Sequence, residues 1–161
     1  MHWYIPLQFV INLFAALALG AVVGLERQWR HCMAGTRTNA LVAGGAAAFV
    51  MAGMLCANDL TANSRIAANI VTGVGFLGAG VIFKDSSSIH GLTTAATIWC
   101  SAATGTLAGL GFLGFATLFA VSILITNVAL RPLANLINKA QIAQEAAHQA
   151  RLQRDCLTPI P

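Results

Sequence analysis

Charge is what this sequence has least of. Only 9% of its 161 residues are charged, nine Lys and Arg against five Asp and Glu, where a soluble domain carries roughly 25%. The acids Glu26, Asp59, Asp85, Glu145 and Asp155 stand at the ends of apolar runs, between them or in the tail. No carboxylate pair falls in mid-run, so an acid-lined path for a divalent cation is not expected, and no metal site either. Cysteine is equally sparse. Cys32, Cys56, Cys100 and Cys156 are far apart and form no C-x-x-C, which argues against a zinc site or a disulfide framework. Cys100, among small residues, is the single candidate for a functional thiol. No Ser-His-Asp set is present, and hydroxyls without a base do not make a nucleophile, so no enzyme is expected. No basic stripe interleaves with aromatics, so nucleic acid is not an expected partner.

What fills the chain instead is apolar sequence. Hydrophobic residues make up 57% and mean hydropathy is +0.73. Residues 1–25, 38–58, 66–83 and 86–130 have no charged side chain. A membrane-spanning helix needs about 20 apolar residues, and the last run is long enough for two, with Gly105, Gly109, Gly111 and Gly114 marking the break. The expectation is an all-α polytopic membrane protein with five transmembrane helices, near 7–27, 38–57, 66–84, 91–109 and 113–131. Residues 1–132 would form the membrane domain and 133–161 a short cytoplasmic tail with a surface helix. No Lys or Arg precedes the first run, so it reads as a retained span rather than a cleaved signal. Arg27, Arg30 and Arg37 lie between the first two spans, and Arg131, Lys139, Arg151 and Arg154 follow the fifth. The positive-inside rule then places the N-terminus outside and the C-terminus in the cytoplasm.

The densest signal is Gly73, Gly75, Gly78 and Gly80, four glycines in eight otherwise apolar residues. Three of them spell G-x-G-x-x-G, but no turn precedes them and no acid follows between Asp85 and Glu145, so the dinucleotide fingerprint does not apply. In a membrane, glycines let helices approach closely. At 100° per residue, Gly73 and Gly80 share one stripe and Gly75 and Gly78 a nearly opposite one. Two readings stand: a central helix notched for neighbours on both faces, or a helix locally unwound around a ligand or ion.

The first span carries Asn12, Ala15, Ala16, Gly20, Glu26, Arg27 and Arg30 on a small or polar stripe expected to face protein, with Leu19 and Val23 on the same side and Phe14, Leu17 and Leu25 toward lipid. Gly20 and Gly24 form a lone G-x-x-x-G. Glu26 can pair with Arg27, Arg30 or Arg37 in a membrane-edge charge network, or the cluster simply snorkels. Gly35 suits a tight turn, Thr36 or Thr38 a helix cap, and Arg37 either snorkels or binds an anion. The alanine- and glycine-rich second span is expected to pack tightly and carry little chemistry. Asn58 to Ser64 reads as an external loop, with Arg65 opening the third span beside Asp59. Lys84 to Gly91 reads as a cytoplasmic turn, with His90 an interface residue. In the fourth span, Thr93, Thr97, Ser101 and Thr104 share a face; their hydroxyls bond back to the helix or form a polar seam with Asn69 and Thr72 of the third. Trp99 lies deep enough to mark a helix contact. The fifth span looks lipid-facing.

Three blocks, GAVVGLERQWRHCMAGTRTNALVAGGAA from Gly20, RIAANIVTGVGFLGAGVI from Arg65 and GLTTAATIWCSAATGTLAGLG from Gly91, together resemble the MgtC/SapB family of bacterial membrane proteins across roughly residues 8–130. The resemblance implies a five-span inner-membrane domain and a role in growth under magnesium limitation and in survival of pathogens inside macrophages, without magnesium transport. It implies contact with other membrane proteins such as the F-type ATP synthase, and a link to phosphate uptake. Carried over by motif, the positions of interest are Glu26, Arg27, Arg37, Arg65, Gly73, Gly75, Gly78, Gly80, Thr93 and Thr94. Thr93 stands where some relatives have Asn. Family members usually continue into a soluble ACT-like domain, for which the 30 or so residues after the fifth span are too few. The bilayer, another membrane protein and a second copy of the chain are the expected partners. Ion or small-solute transport is the competing reading.

Overall fold

A computed structural model describes residues 4–56, 60–85 and 88–132, with side chains described from residue 7 and again from residue 64. Five helices account for nearly all of it: α1 (Tyr4–Trp29), α2 (Thr36–Cys56), α3 (Leu60–Val81) and α4 (Leu92–Gly109), then α5 (Leu113–Pro132). The chain divides into two compact units, Met1–Leu124 and Ile125–Pro161. Helices α1 to α4 and residues 113–124 of α5 belong to the first. The expected cytoplasmic tail helix at 133–161 lies outside the described residues.

Each apolar run became a helix because a lipid-facing backbone has no water to satisfy its polar groups. Four of the five, α1, α2, α3 and α5, are long and apolar enough to cross a membrane. The remaining helix, α4, carries Thr93, Thr94, Thr97, Ser101, Thr104 and Thr106, and much of that hydroxyl content is turned inward: Thr94, Thr97, Ser101 and Thr104 are buried. Its low hydropathy is the mark of a helix surrounded by protein.

The turns between helices follow from backbone chemistry. At the end of α1, His31 N–H donates to Gln28 O at 3.0 Å and Cys32 N–H to Arg27 O at 3.0 Å, the paired bonds of a Schellman motif. The left-handed residue is His31, φ 55°, where glycine is usual. After α4 the same pattern recurs through Gly111, φ 86°, with Gly111 N–H on Ala108 O and Phe112 N–H on Leu107 O. Between α3 and α4, the expected turn contains a two-residue antiparallel ladder, β1 (Phe83–Lys84) with β2 (Ile89–His90). His90 stacks on Phe83 at 5.3 Å and its Nε2 lies 2.7 Å from Ser88 Oγ.

The core is built from α1, α2 and α4, with α5 against α1 and α4. Close approach is set by glycine. A Cβ on Gly105 of α4 would lie 2.6 Å from Ala43 C and 2.7 Å from Ala43 Cα of α2, and one on Gly109 2.8 Å from Ala47 Cα. Gly20 and Gly24 do the same for α1 against α2, at 2.5 Å from Asn39 O and 2.6 Å from Gly35 O. The G-x-x-x-G pair of α1 is thus the notch through which α1 meets α2. Asn12, Ala16, Gly20, Val23, Gly24 and Arg27 are buried and Phe14 and Leu25 exposed, along the expected stripe. Leu17 departs from it: instead of facing lipid, it packs toward Gly44, whose Cβ would come 2.5 Å from Leu17 Cδ2.

Two expected boundaries move. Residues 60–64 are helical, so α3 begins before the anticipated loop ends, and Arg65 sits in its second turn rather than opening it. Small and polar residues such as Thr61, Ala62 and Ser64 extend a helix as readily as they make a loop. The partner proposed for Arg65, Asp59, lies outside the described residues. Gly105 and Gly109 belong to α4, not to the following turn. Trp99 is 48% exposed, on the outer side of α4, beside a shallow cleft with Ile70 and Phe119. The fifth helix presents Phe115 and Leu118 outward while Ala116, Ala120 and Ile123 are buried against the core.

Candidate functional site

Two places gather the residues singled out from the sequence. The first is the face of α3. Its helix is continuous from Leu60 to Val81, so the glycine run is not unwound, and the carbonyls of Gly73 and Gly75, more than a turn from its end, remain in the helical ladder. Neither is it gripped from two sides among the described residues. Cβ atoms on Gly73, Gly75 or Gly80 would meet nothing within 4 Å, and one on Gly78 would touch Ala95 Cβ at an ordinary 3.6 Å. The central, doubly notched helix expected here is therefore a peripheral one. It leans on α4 and, more lightly, on α2, through Ile70, Val74 and Val81 against Ala46, Ile98 and Ala102. Phe76 is 81% exposed. A groove of about 870 Å³ opens between α2 and α3, lined by Leu41, Gly45, Phe49, Ile66, Gly73 and Leu77 among others.

The polar seam between α3 and α4 does not form. Asn69 and Thr72 are exposed, and Thr72 Oγ1 donates to Ala68 O at 3.1 Å. Thr97 Oγ1 donates to Thr93 O at 2.8 Å and Thr104 Oγ1 to Cys100 O at 3.0 Å. These hydroxyls satisfy themselves on their own helix, the arrangement that needs no partner. On this face Ser101 reaches another element, and it chooses α2: its Oγ donates to Asn39 Oδ1 at 2.8 Å.

The second place is the membrane edge where α1 ends. Glu26 forms an ion pair with Arg30, one turn on. Arg37 and Arg65 are exposed, and neither joins that pair. Arg27 is different. It is only 7% exposed, and its Nη2 donates to Thr94 Oγ1 at 3.0 Å, tying the end of α1 to the first turn of α4. Its Nε is buried without a hydrogen-bond partner. The start of α2 is held from α1 as well: Thr36 N–H donates to Gln28 Oε1 at 3.2 Å, whereas Thr36 Oγ1 is buried without a partner. The cap is thus glutamine from the preceding helix, not the threonine hydroxyl.

Sequence reasoning passed over Asn39. It is fully buried, donates Nδ2 to Ala34 O at 3.1 Å and Gly35 O at 2.9 Å, and accepts from Ser101. One side chain therefore fastens the α1–α2 turn, α2 and α4 together. The signal was present, since an amide inside an apolar run is costly unless partnered, but the surrounding alanines and glycines masked it. Thr94 is the buried neighbour of exposed Thr93; a one-residue step around a helix decides which hydroxyl meets Arg27.

The sequence matches the MgtC family over residues 13–136. The chain belongs to the MgtC family. It is 49% identical over 148 residues to Protein MgtC of Salmonella typhimurium (strain LT2), covering 92% of this chain and 63% of that protein. It is 50% identical over 125 residues to Protein MgtC of Brucella abortus (strain 2308), covering 78% and 52%. An uncharacterized protein of Synechocystis is 51% identical over 138 residues, covering 86% and 57%. The chain thus spans between about half and two thirds of the length of these relatives. No solved structure matches it. Family membership and the apolar helices together make this MgtC-family chain a multi-pass membrane protein.

Proposed function

We propose that this chain is a non-enzymatic regulator in the bacterial inner membrane that works by packing α3 against another membrane protein. Growth under magnesium limitation and survival inside macrophages are the setting, and the F-type ATP synthase is the partner toward which the family resemblance points. The reading includes the orientation expected from charge, with the α1–α2 turn and the C-terminus in the cytoplasm.

One observation carries the proposal. The α3 glycines are as dense as any helix-packing motif, yet a Cβ on Gly73, Gly75 or Gly80 would meet nothing within 4 Å among the described residues. Each costs roughly 0.5–1 kcal/mol against alanine in a helix interior, and no close contact among the described residues offsets it. A second protein packed on that face would. The continuous helix weighs against the transport reading, because the Gly73 and Gly75 carbonyls, committed to a helical ladder, are not free to strip a cation of water.

The test is complementation. A bacterial strain lacking its own MgtC-family protein is supplied with this chain and grown in low magnesium, with ATP level and membrane potential followed in the same cells. Rescue with lowered ATP is the expected result. A magnesium or solute flux from the purified chain in liposomes, without any change in cellular ATP, would overturn the proposal in favour of transport.

A further inference from the structure

The end of α1 holds an electrostatic arrangement that the α3 surface does not explain. Arg27 is more than nine-tenths buried; its neighbour Glu26 is ion-paired with Arg30, although both Glu26 carboxylate oxygens are buried without a hydrogen-bond partner. Among the described residues, Thr94 is the hydrogen-bond partner of the Arg27 guanidinium, and Nε has none. A buried guanidinium without a counter-charge is costly. Its position makes the cost larger. Thr94 lies in the first turn of α4, whose N-terminus carries about half a positive charge from its aligned peptides. That terminus has no side-chain cap and no acidic residue in its first turn, and its N-cap, Gly91, is left-handed at φ 88°. Two positive ends therefore meet: Arg27, whose Nε has no hydrogen-bond partner, and the N-terminus of α4, which no side chain caps.

We propose that Arg27, Thr94 and the N-terminus of α4 form a binding site for a phosphate oxyanion. The chemistry fits at each point. Guanidinium presents donors in a plane matched to phosphate oxygens. Helix N-termini receive the same group through backbone N–H and dipole together. Thr94 Oγ1, by accepting from Nη2, holds the guanidinium at the first turn of α4. Leu92 and Thr93 are exposed, so the terminus can be reached from outside the helix core. A lipid headgroup and free inorganic phosphate both supply this oxyanion.

The experiment separates the two sources. The full chain, purified in a nonionic detergent, is titrated at constant ionic strength in two arms: inorganic phosphate in place of chloride, and short-chain phosphatidylglycerol in place of phosphatidylcholine. The unfolding midpoint is read in each. The wild type is expected to be stabilised in one arm, which names the source. Arg27→Gln should weaken that binding about tenfold or more and Thr94→Val several-fold, with exposed Arg37→Gln unchanged. Should Arg27→Gln fail to fold, Thr94→Val with Arg27→Lys carries the test, since a point charge replaces the planar fork at the same net charge. The proposal is overturned if the wild type responds in neither arm, or if its response survives in Thr94→Val and both Arg27 variants.

Discussion

Glycine does opposite things in two parts of this molecule. In α1 and α4 it is where backbones touch: Gly20, Gly24, Gly105 and Gly109 each have neighbouring backbone closer than a methyl group would allow. In α3, Gly73, Gly75 and Gly80 face open space. The first set is answered within the chain and the second is not. What looks like one compositional trait is therefore two. One kind of glycine builds the framework, and the other leaves a smooth strip on a peripheral helix.

The same substitution should separate the two sets most sharply. Gly105→Ala drives a methyl into Ala43 of α2 and should lower stability by about 3 kcal/mol, read from unfolding by denaturing detergent in mixed micelles. Loss below about 1 kcal/mol would mean that α2 and α4 yield more easily than the geometry implies. Asn39→Ala is next, at about 2 kcal/mol, because Ala34 O and Ser101 Oγ lose their buried partner; Ser101→Ala should cost less than Asn39→Ala if Asn39 is the shared fastener. His31→Gly should raise stability by about 1 kcal/mol, relieving a left-handed residue at the end of α1. A loss there would show that the imidazole does something its backbone position does not reveal. Gly75→Ala closes the series with the opposite sign to Gly105→Ala, a gain of roughly 0.5–1 kcal/mol from helix propensity alone.

Helix number and order were legible because bilayer thickness makes a simple rule of apolar length. The faces of α1 were legible too, since small and polar residues repeat at helical spacing. What Gly73 to Gly80 pack against was not. Spacing tells that a helix can be approached closely, not by which helix, and a partner in the same chain reads identically to one outside it. The Thr93–Thr104 face was ambiguous for a related reason: a hydroxyl in a helix can bond to its own carbonyl or across an interface at similar energy. Thr97 and Thr104 took the first course and Ser101 the second. Arg27 was legible as part of a charged edge, but its separation from the Glu26–Arg30 pair and its attachment to Thr94 depend on where α4 begins. That depends in turn on Gly91, where a Cβ would run into the Val81 carbonyl.

The central claim is that the α3 glycine strip serves a partner outside the chain rather than the fold. Gly75→Leu combined with Gly80→Leu tests it in one strain: membrane expression and unfolding midpoint are measured beside complementation in low magnesium. The account predicts a protein as abundant and as stable as wild type that fails to complement. Full complementation at wild-type abundance would contradict it.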